Sequence, residues 1–249
     1  MKLGIIGGNG FVGQAMLKLF PGAMSIGTDT KREYIDECDT VFVCVPTNNP
    51  TEKENDISIV EDVVSKLKAS LIIVRSTLNP GTADYLENKY NMNISVVPEY
   101  VGESVNHPLL DETSRPFLII GGKPETRRKV IEIFQSVYNA NINIRQVSNL
   151  EAEIIKLSEN RAIAFKVAQC QELYDVCERA GVDYYTIRDA VYGDDPRFNL
   201  WWTFVFPDKR GMESKCLPKD VYAWCAWAES VGYQPVITRA LLERNKLWI

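Results

Sequence analysis

The sequence predicts an α/β fold, a doubly wound parallel sheet over residues 1–148, followed by an all-helical domain over residues 149–249. Three observations carry that expectation. Short β-branched runs alternate with helical patterns through the first half, as parallel strands covered by helices on both faces require. The opening strand runs directly into a glycine-rich loop and then a helix. From about Leu150 to Ala180 there is neither proline nor glycine, and apolar residues recur at helical spacing until Gly181 ends the pattern.

Candidate strands are Lys2–Ile6, Ala23–Gly27, Thr40–Val45, Ser70–Val74, Asn93–Val97 and Phe117–Ile120. Between them the apolar spacing predicts helices over Phe11–Leu19, Ile57–Leu67, Thr82–Tyr90 and Glu125–Tyr138, the last with Pro124 placed to open its first turn. The long helix carries Ile154, Ile155, Leu157, Ile163, Val167, Leu173 and Val176 around much of its circumference. A single stripe packed on one sheet needs less, so burial on two sides is expected. A homodimer interface is the expected second side, which makes the helical part a dimerisation domain. Further helices are expected over Thr186–Tyr192, Pro218–Val231 and Pro235–Lys246, with an irregular aromatic stretch from Phe198 to Phe206.

With 45% apolar and 24% charged residues, the chain has the profile of a globular protein and not of a disordered or collagen-like one. Lys+Arg 28 against Asp+Glu 33 gives a formal charge of -5, and no basic stripe gathers to follow a phosphate backbone, so no nucleic-acid partner is expected. No 18-residue apolar run and no signal-peptide core are found, so the expectation is no membrane association and a cytoplasmic location. Six cysteines without any C-x-x-C pair read as reduced thiols, and His107 is the only histidine. No metal site is expected, and acid–base chemistry falls to Lys, Asp, Glu or Cys.

The strand Lys2–Ile6 leads into Gly8-Asn9-Gly10-Phe11-Val12-Gly13, the G-x-G-x-x-G spacing in its strand–turn–helix setting. This makes the first domain Rossmann-like. Gly8 is assigned the tight turn, Gly10 the close approach of a pyrophosphate to the helix N-terminus, and Gly13 the close helix–strand packing. Asp29, 19 residues after Gly10, is placed to accept both ribose hydroxyls and repel a 2′-phosphate, which favours NAD over NADP. Lys31 and Arg32 follow it and soften that preference.

Cys216 precedes a helix opened by Pro218, where amide dipoles favour a thiolate, with Lys219 and Asp220 close by. From chemistry alone it reads either as a nucleophile or as a small buried hydrophobe like Cys170, Cys177 and Cys225. Lys156 and Asn160 lie one turn apart on the long helix, and Lys156 is flanked by Ile155 and Leu157. A lysine there is either functional or a side chain that snorkels to the surface.

Five further segments occur in order: Val43-Cys44-Val45-Pro46-Thr47, Arg75-Ser76-Thr77-Leu78-Asn79-Pro80-Gly81-Thr82, Val97-Pro98-Glu99-Tyr100-Val101-Gly102-Glu103, Glu151-Ala152-Glu153-Ile154-Ile155-Lys156 with Asn160, and Cys216-Leu217-Pro218-Lys219-Asp220. Together with the glycine loop they resemble the nucleotide-sugar 6-dehydrogenase family, typified by UDP-glucose and GDP-mannose 6-dehydrogenases, over nearly the whole chain. The resemblance implies that Cys216 traps an aldehyde made by a first hydride transfer, and that a second NAD oxidises the thiohemiacetal to a thioester that water hydrolyses. It implies that Lys156 stabilises the oxyanion, Asn160 holds the sugar hydroxyl and reacting oxygen, and Asp220 acts as general base on an ordered water. Thr77 and Glu103 then hold that water and the nicotinamide end, and Glu99 joins Lys156, Asn160 and Arg197 on the substrate. Val45, Pro46, Thr47, Ser76, Thr77, Glu103 and Lys219 join the glycine loop and Asp29 around the cofactor. Arg197 resembles the arginine that family members reach across a dimer, although an ordinary surface arginine would look the same.

The sequence also departs from the family pattern. Members continue into a second α/β domain that binds much of the nucleotide, so a partner chain supplying that half-site is expected. The glycine loop before the family's cysteine is here Gly211-Met212-Glu213-Ser214-Lys215-Cys216, with side chains where bare backbone faces the sugar. Lys31 to Asp39 is shorter than the family's adenine-side strand and helix. Three readings follow: an NAD-dependent nucleotide-sugar dehydrogenase working through Cys216, which the retained set favours; a two-electron dehydrogenase of the β-hydroxyacid type on another small hydroxylated substrate; and a non-catalytic NAD-binding dimer derived from the family.

Overall fold

A computed structural model describes residues 1–27, 30, 32–49, 51–102, 111–212, 214 and 216–249, with Arg32, Glu33 and Ser114 described by backbone only. The chain divides into two compact units, Met1–Pro50 with Asn55–Lys156, and Thr51–Glu54 with Leu157–Ile249.

In the first unit, β1 (Leu3–Ile6), β2 (Met24–Ile26), β3 (Thr40–Val43), β4 (Leu71–Val74) and β5 (Ile94–Val96) form one parallel sheet in the order β2-β1-β3-β4-β5. Leu3 of β1 pairs with Thr40 and Ile6 with Val43. The chain turns to opposite sides of β1 for β2 and β3, which opens a crevice at the carboxyl end of β1 where ligands bind in folds of this class. Every residue of β3 and β4 is buried, which explains why Thr-Val-Phe-Val and Leu-Ile-Ile-Val are continuous apolar or β-branched runs without alternation. Their side chains still alternate between two cores. Val41, Val43, Ile72 and Val74 pack with Val60 and Val64 of α3 (Ser58–Ser65) and Leu86 of α4 (Thr82–Tyr90). Phe42, Leu71 and Ile73 pack on the other face with Met16 of α1 (Phe11–Leu19), Phe20, and Phe134 of α5 (Pro124–Gln135). The Phe42 ring stacks on Phe20 at 5.3 Å and meets the Phe134 ring edge-on at 6.0 Å.

Two features differ from the sequence reading. The strand β6 (Phe117–Ile120) does not extend the main sheet; it pairs in parallel with β7 (Asn143–Gln146) in a separate two-stranded sheet. Just past its end it is tied to β5, where the Gly121 amide donates to the Val96 carbonyl at 2.8 Å and the Ser95 hydroxyl to the Gly121 carbonyl at 2.6 Å. The strand β7 has no counterpart in the sequence reading because Asn-Ile-Arg-Gln is largely solvent-facing and shows no apolar run. A short helix, α2 (Arg32–Asp36), lies in the segment read as a shortened adenine side.

The helix α6 (Asn149–Ala180) begins in the first unit and runs on as the leading helix of the second. Asn149 sits buried at its start, accepting from the Val96 amide at 3.0 Å and donating to the Ile94 carbonyl at 3.1 Å. Asn149→Ala leaves both β5 groups without these partners and is expected to cost about 1–3 kcal/mol. A fall in the urea midpoint with an unchanged denaturant slope would report it; an unmoved midpoint would mean that other groups replace these bonds.

The second unit continues through α7 (Tyr184–Arg188), a π-helical turn over Asp189–Asp194, α8 (Leu217–Ser230) and α9 (Val236–Asn245). The helix expected over Thr186–Tyr192 is therefore two pieces, the first capped by Asp183, which accepts from the Thr186 amide at 2.7 Å. One core gathers Ala164, Met212, Val221, Cys225, Leu241 and Leu242; another gathers Cys170, Cys177, Tyr184, Tyr192 and Val205. The irregular aromatic stretch is held by its backbone: the Tyr184 hydroxyl donates to the Thr203 carbonyl, the Tyr185 hydroxyl to Val205, and the Lys166 ammonium to Asn199. Among the described residues no helix is long and apolar enough to cross a membrane, and no cluster of His, Cys, Asp or Glu is arranged to hold a metal ion.

Candidate active site

The loop from β1 to α1 is built on absent side chains. Gly7 has φ +82°, and a Cβ there would fall 2.4 Å from the Cys44 carbonyl. Gly8 lies within the tight turn, which the Gly10 amide closes on the Gly7 carbonyl at 2.9 Å, and Gly7 is its left-handed residue. Gly8 is needed for another reason, since its Cβ would meet the Ser25 hydroxyl at 2.2 Å. A Cβ on Gly13 would lie 2.1 Å from the Gly7 carbonyl, so α1 packs directly on the turn. The helix starts at Gly10 with no side-chain cap and no acidic residue in its first turn. Its opening amides and positive dipole end therefore remain for an anion, and this cradle fits the pyrophosphate of a dinucleotide.

Beside the loop, the buried Thr47 hydroxyl donates to the Thr77 carbonyl at 2.8 Å, and the Ser76 hydroxyl donates to Val45 at 2.7 Å. These bonds lock the β3 and β4 ends together, with Pro46 exposed between Val45 and Thr47. Asp29 and Glu103, assigned to the ribose and the nicotinamide end, lie outside the described residues, as does His107.

Also in the first unit, Lys156 is nearly buried, and its ammonium donates to the Glu99 carbonyl at 2.6 Å and lies 4.9 Å from the centre of the Tyr100 ring. It does not snorkel away from the fold. Glu99 keeps one carboxylate oxygen buried without a hydrogen-bond partner. One turn earlier on α6, Glu153 accepts from the Gly81 amide at 2.6 Å and the Ala83 amide at 2.8 Å. Burial pushes the Glu153 carboxyl up to about 8 against the lowering effect of those two amides. Glu153 and Asn149 escaped the sequence reading as site residues; the available signal was their spacing, which with Lys156 follows one helix face.

In the second unit, Cys216 is the N-cap residue of α8 and the one exposed cysteine of the six. Its carbonyl accepts the Asp220 amide at 3.1 Å, closing the first turn. The Asp220 carboxylate is buried and takes a donor on each oxygen, Lys219 Nζ at 2.6 Å on Oδ1 and Asn160 Nδ2 at 2.5 Å on Oδ2. Asp220 thus fixes the Asn160 amide, and Lys219 pairs with the other oxygen of the buried carboxylate. Arg197 is exposed and paired with Asp195. In the loop before Cys216, Met212 does not face a ligand as the sequence reading had it; its side chain is in the helical core and its amide donates to Asn245. Glu213 and Lys215 lie outside the described residues.

Comparison with known proteins matches residues 12–142 to the UDP-glucose/GDP-mannose dehydrogenase family NAD-binding domain and residues 150–247 to the central domain of the same family. The chain belongs to the UDP-glucose/GDP-mannose dehydrogenase family. Its first unit carries the family's NAD-binding domain, and NAD is the cofactor. Similar relatives include the UDP-glucose 6-dehydrogenases of Rickettsia typhi, 26% identical over 84% of this chain and 49% of that protein, and of Pseudomonas aeruginosa, 26% identical over 88% and 51%. The chain spans about half the length of these family members. In fold it is similar to the UDP-glucose dehydrogenase of Pyrobaculum islandicum, with a TM-score of 0.83 at 21% identity over 99% of this chain and 68% of that one. The UDP-D-ManNAc dehydrogenase of Pyrococcus horikoshii gives 0.81 at 18% identity, again over 99% and 68%.

Proposed function

We propose that this family member is an NAD-dependent nucleotide-sugar dehydrogenase that oxidises a sugar primary alcohol to a carboxylate in two two-electron steps. One observation carries the reading: the exposed Cys216 stands at the amino end of α8 while Asp220, in the same turn, is held by Asn160 and Lys219. Bound NAD supplies the hydride acceptor, one molecule for each oxidation. In the first step the alcohol gives its hydroxyl proton to water and loses a hydride to become an aldehyde, with the Lys156 ammonium stabilising the negative charge on the reacting oxygen. The Cys216 sulfur then bonds to the aldehyde carbon, and loss of a second hydride leaves a thioester. Asp220 accepts a proton from water as that water attacks, and the C–S bond breaks to return the thiolate and release the carboxylate. Asn160, oriented by Asp220, hydrogen-bonds the reacting oxygen.

Thr77, Glu99 and Glu103 complete the reading as groups that position water, substrate and the nicotinamide end. A partner chain that supplies the nucleotide half-site belongs to the same proposal. A homodimer through the helical domain, with Arg197 reaching the neighbour's substrate, belongs to the same proposal.

The test is NADH formation with a panel of UDP- and GDP-sugars and simple hydroxy acids, counted per substrate consumed. Two NADH per sugar nucleotide are expected. One NADH from a hydroxy acid would replace the reading with a two-electron dehydrogenase, and NAD binding without turnover on any alcohol would replace it with a non-catalytic protein.

A further inference from the structure

We propose that Glu153 is a positioning residue that clamps the loop following Thr77 to the helix carrying Lys156, and so sets where the Lys156 ammonium stands. The inference rests on the reading of Lys156 as the oxyanion-stabilising group. Asn149, Glu153 and Lys156 follow one another at spacings of four and three residues, so all three project from one face of α6. Each makes its bond to a different part of the sheet's carboxyl edge. Asn149 bonds β5, Glu153 takes the Gly81 and Ala83 amides at the start of α4, and Lys156 reaches the Glu99 carbonyl after β5.

The loop that Glu153 holds is otherwise fixed by neighbours remote from α6. At its start the Arg75 amide donates to Val43, and Asn79 exchanges hydrogen bonds with the Asn55 backbone at 2.7 and 2.8 Å. Its end is a turn, with Gly81 at φ +93° as the N-cap residue of α4, whose amide has no helical partner. A carboxylate matches two convergent amides, because both of its oxygens only accept. An amide side chain cannot do the same, since one of its two heads donates. Glu153 is 1% exposed, so this carboxylate is not placed for solvent or substrate contact. Its use is the distance between two pieces of backbone.

The facing charged group from α4 is Asp84, which raises the Glu153 carboxyl alongside burial. Deprotonation above about 8 therefore completes the pair of amide bonds. Protonation below that removes one acceptor oxygen.

The test uses the full chain and Glu153→Gln, with Glu153→Asp as the conservative variant and Glu153→Ala as the deletion. Two readouts are taken. The first is the rate of Lys156 acylation by acetic anhydride, followed peptide by peptide by mass spectrometry, with Lys89, an exposed lysine in the last turn of α4, as an internal reference. The second is the steady-state rate of NADH formation from pH 6 to 9.5. Acylation of Lys156 in Glu153→Gln is expected to change about tenfold relative to Lys89, and kcat to fall about 10- to 100-fold, the scale of a displaced catalytic group, while KM for NAD stays within about twofold. The wild-type profile is expected to rise across pH 8, with that limb absent in Glu153→Gln and partly restored in Glu153→Asp. Unchanged Lys156 acylation in a folded Glu153→Gln protein would overturn the clamp whether or not the wild type turns over. An inactive wild type with altered Lys156 acylation in the variant would instead overturn the functional reading and keep the clamp. If Glu153→Ala does not fold, the other two variants decide.

Discussion

Cys216→Ala is expected to lower carboxylate formation by about 10³-fold or more, the scale seen when a covalent nucleophile is removed and only binding and charge stabilisation remain. The prediction follows from location. Cys170, Cys177 and Cys225 fill the helical cores and Cys38 and Cys44 the sheet, so no other thiol is exposed to take over. Cys44 is a poor substitute for a second reason, since burial pushes its thiol up to about 12. The variant keeps Asn160, Asp220 and Lys219, so the first hydride transfer is expected to survive better than the second. The measurement is NADH per sugar nucleotide by absorbance, falling from two to one or none. Two NADH from a folded Cys216→Ala protein would end the thioester route and leave direct hydration of the aldehyde.

Glu112→Ala is expected to destabilise the first unit by about 3–5 kcal/mol, the cost of leaving buried charges without their partner. Glu112, in a 3₁₀ turn over Glu112–Ser114, presents one carboxylate oxygen to both Arg75 Nη2 at 2.5 Å and Arg115 Nη1 at 2.7 Å, with all three side chains about 1% exposed. Burial pushes the Glu112 carboxyl up, but the two guanidinium groups outweigh it and hold it below the ordinary carboxylate range. A carboxyl lowered in the fold contributes stability above its unfolded value near 4.5, and that contribution is lost as pH falls through the folded value. Urea unfolding at pH 7 should show the full difference between wild type and Glu112→Gln, and the two curves should converge once the pH has fallen below the folded value of the Glu112 carboxyl. A gap that persists there would assign the loss to packing instead of charge.

The glycine loop, the parallel strands and the long helix were legible because each is written in local spacing. Gly8, Gly10 and Gly13 are read from one turn, and the 149–180 helix from an uninterrupted periodic run ending at a glycine. What escaped was set by contacts distant in sequence. The need for a glycine at Gly7 comes from the Cys44 carbonyl, just past the end of β3, which closes over it. The strand β7 is held by pairing with β6 and carries no apolar signature. In the candidate site, Lys156, Asn160, Cys216 and Asp220 were legible as motif residues, but the bond from Asn160 to Asp220 spans 60 positions and no spacing rule reaches that far. Glu153 was invisible as a clamp for the same reason, since its partners are backbone amides 70 and 72 residues away.

The split of β3 and β4 between two cores has a consequence for how the chain finds its fold. Val41 and Val43 fit slots on one side of the sheet, and Phe42 fits between Phe20 and Phe134 on the other. A strand misaligned by a single residue would thrust the benzyl ring into a space shaped for isopropyl groups and leave a void among the phenylalanines. Both sides are penalised at once, so a wrong alignment cannot trade a loss on one face for a gain on the other. Discrimination against mispaired strands is thus written into the alternation of large and small side chains, before any ligand binds.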